Sequence, residues 1–386
     1  MVNKVQKGIA LFFFYISSRL IMIFTKLDND KILLLSDTHG ELDGNLKEMY
    51  DFLQKKRYEP RYYLKKSRRE RMKLKEFCSL IYDMTTAKNI FLDDYYLMTS
   101  AMRVRAGQNL VQLWHGAGAF KKFGYSRLDT EDGVKNIHSG YKKYTHVPVS
   151  SEDIIPCYAE AFGISEEKVL PIGVPRTDFF FREKDIREKE KAFYKKYPDL
   201  SGKKLVLIAP TYRGSKINEA NYDIEKFDLP RVQKSLGNEY ALGVKWHRAI
   251  LDNIENGKIA IELPEGCYDF SEFNDVEELL PIADVLITDY SSVIFDYSIL
   301  SKPIIFFPYD YDEYKINRGL YYDFNEYVYG EIANDCESLI EYIKKGNLCS
   351  EKREDFIDKF MKACDGKSCE RLYEILFKGY QNNNRD

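Results

Sequence analysis

The stretch ADVLITDYSSVIFDYSILSKPIIFFPYD, residues Ala283–Asp310, decides the fold. An apolar run ends at Thr288 and Asp289, Ser291 and Ser292 follow, and a helical pattern begins at Val293. A second apolar run, Pro303–Phe307, closes the segment. Short continuous apolar runs read as parallel strands buried on both faces, joined by a crossover helix. The first turn of a helix offers free N–H groups to a phosphate. Ser291 and Ser292 add hydroxyl donors to that turn. The plain alternative is that Asp289, Ser291 or Ser292 only caps the helix.

Working outward, the same pattern repeats. KKLVLIAPTYRG (Lys203–Gly214), ALGVKWH (Ala241–His247), a short run near Lys258–Ile261, and KPIIFFP (Lys302–Pro308) read as further strands of one α/β lobe. Upstream, KILLLSD (Lys31–Asp37), NIFLDD (Asn89–Asp94), NLVQLWH (Asn109–His115) and THVPVSS (Thr145–Ser151) form a second set. Helical stretches intervene, so both halves are βα repeats. The division is residues 1–27 as a membrane-associating helix, 28–182 as one Rossmann-like lobe and 183–386 as another. In open parallel sheets ligands sit at the C-terminal strand ends, so two such lobes are expected to face a central cleft.

The 386 residues carry 58 basic and 61 acidic side chains, a formal charge of -3, which gives no electrostatic case for nucleic acid. Seven cysteines at no CxxC spacing argue for reduced thiols rather than a disulfide framework or a zinc site. Near the start, IALFFFYISSRLIMIF (Ile9–Phe24) is apolar, interrupted by Arg19 and flanked by Lys4, Lys7 and Lys26. It is short for a spanning helix and has no small-residue cleavage site, so an interfacial helix on an anionic membrane surface fits better. The very basic Lys55–Lys75 reads as a solvated helix face with a loop around Pro60, or as contact with an anionic polymer or lipid.

Candidate chemistry gathers at strand ends. WHGAGAFKKFG (Trp114–Gly124) delivers His115 into a loop with Gly116, Gly118 and Lys121. An imidazole there can accept a hydroxyl proton near neutral pH, and glycines let backbone approach a ligand. VKWHR (Val244–Arg248) sets Lys245, His247 and Arg248 past another strand. Thr211 and Arg213 in APTYRG, and Arg318 in NRGLYYDF, extend a cationic rim. Such a rim suits a pyrophosphate whose charge grows as its bond to the leaving group breaks.

These segments, in this order, resemble the CDP-glycerol glycerophosphotransferase family, the primases and polymerases of teichoic-acid synthesis. The matching pieces are LVQLWHGAGAFKKFG, VLPIGVPRTD, KKLVLIAPTYRG, VKWHR and the long block from Phe273 to Phe324. The resemblance implies a GT-B-like fold. It implies transfer of glycerol phosphate or another polyol phosphate from CDP-glycerol or CDP-ribitol to a hydroxyl of a lipid-linked glycan acceptor, with release of CMP, at the cytoplasmic face of the membrane. By resemblance His115 is the catalytic base and His247 contacts the donor phosphates. Asp289, Ser291 and Ser292 line the phosphate-binding helix start. No cofactor is required, with room left for Mg²⁺. Two departures bear on acceptor and polyol choice: Arg248 follows His247 where the family usually has Pro, and the loop after Gly116 lacks Pro.

Three rivals remain at this stage. A nucleotide-sugar glycosyltransferase shares the fold, because fold does not fix the donor. A membrane-docked polymer-binding protein would need none of the histidines. SDTHG (Ser36–Gly40) resembles the first metal motif of metallophosphoesterases, with Asp37 and His39 as ligands, but the later ligand motifs of that family do not follow.

Overall fold

The computed structural model describes residues 4–66, 70–127, 139–214, 219–273, 275–311, 314 and 319–378. By internal contacts the chain forms two units: residues 1–118, 122–181 and 361–386 make the first, and 119–121 with 182–360 the second.

The first unit is built on four parallel strands: β1 (Asp28–Ser36), β2 (Arg61–Leu64), β3 (Ala87–Leu92) and β4 (Asn109–Gln112), in the order β2-β1-β3-β4. β1 and β3 are central and buried on both faces, which is why their sequences run apolar without alternation. Beyond β4 the main chain continues through Thr145 N–H to Leu110 C=O (2.9 Å) and Gln112 N–H to His146 C=O (3.0 Å) into β5 (Val147–Pro148), which pairs with β6 (Val169–Leu170). Helix α2 (Gly44–Lys55) lays Leu46, Met49 and Leu53 on Ile32, Leu34, Phe91 and Val111.

The C-terminal segment completes this core: Cys369, Leu372, Leu376 and Phe377 pack into the same cluster. The expected 183–386 lobe therefore differs at its end from the contact division, because residues 361–386 find their apolar partners in the first unit. Asp178 holds the segment there. Its two carboxylate oxygens accept the buried N–H groups of Ser368 and Cys369, each at 2.9 Å, at the start of helix Ser368–Tyr373. Gly173, at φ 89°, lets this segment close in, since a Cβ would meet Ser368 Oγ at 2.3 Å and Ala363 O at 2.6 Å.

The second unit is a six-stranded parallel sheet: β7 (Lys204–Ile208), β8 (Tyr240–Val244), β9 (Cys267–Asp269), β10 (Val285–Thr288), β11 (Ile304–Phe306) and β12 (Glu331–Ile332), in the order β12-β11-β10-β7-β8-β9. The short strand expected near Lys258–Ile261 is instead β9, whose Cys267–Asp269 pairs with Leu242–Val244. The basic stretch Lys55–Lys75 is not one helix face: it contains β2, paired with β1 from Leu33 to Ser36.

Each sheet winds outward in two directions from a switch point. In the first unit this lies between β1 and β3, in the second between β7 and β10. Crevices at the C-terminal ends of such neighbours are where open α/β sheets take ligands.

Helix α1 (Lys4–Phe24) lies apart from this logic. Phe14 and Ser18 are buried, but Ile9, Phe12, Leu20, Ile23 and Phe24 are more than half exposed.

Candidate active site

His115 is held by a chain of main-chain contacts. Trp114 before it sits at φ 60°, a left-handed conformation that a bulky residue adopts only when its surroundings impose it. Its N–H donates to Gln112 Oε1 (2.8 Å), and its carbonyl accepts from Asn45 Nδ2 (2.9 Å). Asn45 Oδ1 in turn accepts the Arg176 N–H (2.9 Å), and the Arg176 guanidinium donates to the His115 carbonyl (2.9 Å). The Trp114 ring lies between His115 (4.3 Å between centroids) and Phe123 (4.8 Å).

The His115 side chain is 52% exposed, with Nδ1 3.7 Å from Asp94 Oδ1. Desolvation by the packed loop lowers its pKa below the ordinary imidazole value, against the pull of Asp94. A neutral, reachable imidazole results, the state a general base needs. Gly116 and Gly118 turn their carbonyls toward the Tyr158 hydroxyl (3.2 and 2.9 Å), and the Gly118 N–H donates to Ser150 Oγ (3.1 Å). Gly124, which ends the motif at φ 56°, touches the backbone of Ala161 so closely that a Cβ would sit 2.1 Å from its carbonyl oxygen.

Lys121 does not belong with those glycines. It pairs with Leu320 and its ammonium lies 5.6 Å from the Tyr314 ring centroid, so it groups with the second unit. Phe120 C=O accepts from Tyr321 N–H (3.1 Å) and Ala119 C=O from the Tyr327 hydroxyl (2.6 Å) in the same strip.

Near His115, at the switch point of the first sheet, His39 Nδ1 lies 3.0 Å from Asp93 Oδ2 and 3.1 Å from Asp43 Oδ1. Burial alone would lower its pKa, but the bonds to Asp43 and Asp93 prevail and raise it to about 10. His39 is thus a protonated imidazole between two carboxyl groups, of which the buried Asp93 has its own pKa raised by desolvation against the pull of His39. These three residues are close enough to share a metal ion. A cation there would have to displace the proton that now satisfies both carboxylates. Asp37, the other residue of that motif, is paired with Lys65 (2.7 Å).

In the second unit, Asp289 after β10 is buried. Its Oδ1 accepts the Thr211 N–H (2.9 Å) and the Tyr290 N–H (2.6 Å). Arg213 reaches Asp289 Oδ2 (2.9 Å), Asp310 Oδ1 (2.8 Å) and Thr211 C=O (2.6 Å). Four tyrosine rings, Tyr222, Tyr290, Tyr309 and Tyr314, surround its guanidinium at 5.1–5.2 Å. Direct phosphate contact was the expectation for Arg213 and Asp289. In the structure the pair ties the β7 end to the β10 end, and Arg213 is engaged with two carboxylates. The Thr211 hydroxyl at that junction is buried with no hydrogen-bond partner among the described residues.

Ser291 is half-buried and Ser292 exposed at the start of helix Val293–Ser298, and Ser292 makes no side-chain cap. Beyond β8, His247 caps helix Arg248–Glu255: its Nδ1 accepts the Ala249 N–H at 3.1 Å. That bond places the imidazole proton on Nε2. The triple-cation tip expected here thins out. Arg248 turns to Asp252 (2.9 Å) and Glu255 (3.2 Å), and Lys245 is buried, with desolvation lowering its pKa. Arg318 lies outside the described residues.

Sequence reasoning missed Asn45, Arg176 and Asp178. The signal was present for the last two: VLPIGVPRTD was recognised as a motif, but only the fold reveals that Arg176 serves His115 and Asp178 anchors the C-terminal segment.

Residues 17–378 match the family described as CDP-Glycerol:Poly(glycerophosphate) glycerophosphotransferase. The chain is 39% identical over 352 residues to a teichoic acid poly(ribitol-phosphate) polymerase of Bacillus spizizenii, covering 91% of this chain and 56% of that relative's length. It is 32% identical to the teichoic acid ribitol-phosphate primase of the same organism, covering 97% of both chains. The solved structure of the wall teichoic acid polymerase TagF superposes with a TM-score of 0.78 at 23% identity, covering 100% of both chains, a likeness of fold.

Proposed function

The chain belongs to the CDP-glycerol:poly(glycerophosphate) glycerophosphotransferase family, and from that premise we propose that it transfers a polyol phosphate from a CDP-activated donor to an acceptor hydroxyl, releasing CMP. The observation that carries the reading is His115: an exposed imidazole with a lowered pKa, on a left-handed turn braced by Gln112, Asn45 and Arg176. Bracing of this kind fits a base that must meet a hydroxyl in one orientation.

In the proposed reaction the acceptor oxygen attacks the β-phosphorus of the donor. The new O–P bond forms, the bond from that phosphorus to the CMP oxygen breaks, and His115 takes the hydroxyl proton. The second unit receives the donor. Ser291, Ser292 and His247 supply hydrogen bonds to its phosphates, with Thr211 buried beside them at the β7 end. Phosphoryl transfer depends chiefly on such positioning and charge stabilisation.

Several relatives are ribitol-phosphate enzymes, which favours CDP-ribitol over CDP-glycerol as the donor. The acceptor is a lipid-linked cell-wall glycan or polymer, met at the cytoplasmic membrane surface where α1 rests. Purified full-length protein given CDP-ribitol and CDP-glycerol separately, with a lipid-linked polyol-phosphate acceptor, is expected to release CMP faster from CDP-ribitol. Equal or faster turnover of CDP-glycerol would reverse the donor assignment, and no CMP from either would refute the transferase reading.

A further inference from the structure

The first unit contains a second recess that the chemistry above does not use. It has a volume of about 480 Å³, within the range of about 300–1,000 Å³ typical of small-molecule sites. Its long walls are apolar: Ala10 of α1 on one side, Leu74 and Phe77 of α3 (Leu74–Thr86) with Leu97 and Met98 on the other. α1 meets α3 beside it, with the Phe13 and Phe77 rings 6.2 Å apart.

The recess has a polar end as well. Asp37, Lys65 and Tyr95 close it there. Asp37 and Lys65 directly follow the ends of β1 and β2, and Tyr95 follows Asp94. That is the switch point of the first sheet, the edge that also carries His39, Asp94 and His115. Lys7 and Arg71 line the recess too. Lys65 is neutralised by Asp37 (2.7 Å) and Arg71 donates to Gln6 Oε1 (3.0 Å), while Lys7 is exposed beside them. Glu70 lines it as well, its carboxylate accepting the Lys66 N–H (2.9 Å). The apolar walls suit a hydrocarbon chain, and Lys7, Lys65 and Arg71 against Asp37 and Glu70 leave one positive charge for one anionic head.

The occupant must reach this recess from where hydrocarbon is found. α1 supplies the route. Ile9 is 62% and Phe12 68% exposed on the same helix that contributes Lys7 and Ala10 to the wall. An apolar helix face left bare by its own protein is suited to lie in a bilayer with its basic residues at the head groups.

We propose that this recess seats the lipid anchor of the acceptor: a single hydrocarbon chain running along Ala10, Phe77, Leu97 and Met98, with its phosphate at Lys7 and Arg71. The inference rests on the transferase reading and adds where the acceptor is gripped. The anchor enters from α1, and its head group is presented at the sheet edge that bears His115. Binding energy from a remote part of the substrate then orients the reacting hydroxyl.

The test uses the full chain in phosphatidylcholine nanodiscs, titrated calorimetrically with farnesyl phosphate as a single-chain lipid phosphate. Saturable binding is expected, with farnesol and inorganic phosphate each binding far more weakly. Ala10→Trp, which fills the recess from a lipid-tolerant helix, should weaken farnesyl phosphate by about tenfold or more, a loss of about 1.4 kcal/mol per decade. Affinity for CDP-ribitol should not change. Lys7→Glu, at an exposed site that burdens folding little, should weaken farnesyl phosphate but not farnesol. Unchanged binding in both variants overturns the assignment. So does displacement of farnesyl phosphate by equimolar phosphatidylglycerol, which would make the recess a bulk-lipid site. CMP release from CDP-ribitol with a soluble polyol-phosphate acceptor is measured in parallel. Its absence in the wild type refutes the transferase reading, whereas its presence alongside failed lipid binding overturns this inference alone.

Discussion

At the scale of single residues, two histidines on one sheet edge are tuned in opposite directions. Desolvation holds His115 below the ordinary imidazole pKa and so favours its neutral form. Its rate contribution is therefore lost only on the acid side. His115→Ala should cut single-turnover transfer by about 10²–10⁴-fold and leave calorimetric donor affinity unchanged, and the acid limb of the wild-type kcat profile should vanish with it. Wild-type turnover in His115→Ala would end the base assignment. His39 goes the other way, raised to about 10 by Asp43 and Asp93 after the cost of burial. A folded pKa above the unfolded value of about 6.5 gives stability that is complete below pH 6.5 and lost as pH rises through about 10. His39→Gln should thus lower the melting temperature most near pH 6, with the gap to wild type closing towards pH 10. A gap constant across that range would show that the imidazolium clamp does not stabilise the fold.

At the scale of elements, one motif, the segment 171–178, serves two structures. Arg176 reaches the His115 carbonyl, and two residues on, Asp178 accepts two buried N–H groups of the C-terminal helix. Removing that carboxylate leaves both donors unpaired, at about 1.5–3 kcal/mol for a hydrogen bond to a charged group. Asp178→Ala should therefore destabilise the protein by a few kcal/mol in urea. Limited proteolysis should cut first within residues 361–378, and a uniformly resistant variant would contradict the clamp. None of this was legible beforehand, since a contact between positions 178 and 368 leaves no mark on local pattern. What was legible were the buried central strands β1, β3, β7, β8, β10 and β11, whose apolar runs follow from burial on both faces, and the largely buried edge strand β4. The other edge strands were harder. β2 hides among basic residues and β9 is only Cys267–Asp269, because an edge strand buries little and needs no apolar run. The site residues divide in the same way. His115, His247 and the serines follow strands that could be read. The engagement of Arg213 with Asp289 and Asp310 depends on β7 and β10 being neighbours, and β8 and β9 intervene between them in the chain.

At the scale of the whole molecule, α1 poses an energetic question that the globular part does not answer. Twenty residues, Val5–Phe24, are apolar enough to cross a membrane by length and composition, yet only 11% of the most apolar window is buried. Left in water, such a face costs about 25 cal/mol per Å² of apolar surface, and the proposed cover is the hydrocarbon of a bilayer. Its contacts with its own chain are local: Phe14 and Ser18 are buried, Phe13 leans on Phe77, and the Thr25 hydroxyl beyond its end accepts from Arg105 (3.2 Å). The described core cluster of the second sheet, which carries the donor-side serines, contains no residue of α1. Membrane attachment and donor binding should therefore separate. Deleting residues 1–26 should move the protein from sedimenting with phosphatidylglycerol vesicles to the supernatant, while calorimetric affinity for the CDP donor stays within about twofold, the effect of a few tenths of a kcal/mol. High salt should weaken vesicle binding of the intact chain without abolishing it, because Lys7 and Lys26 contribute screened attraction and the apolar face does not. A truncated protein that still sediments at high salt would place the membrane contact elsewhere, and one that loses donor affinity would make α1 part of the catalytic fold rather than its mooring.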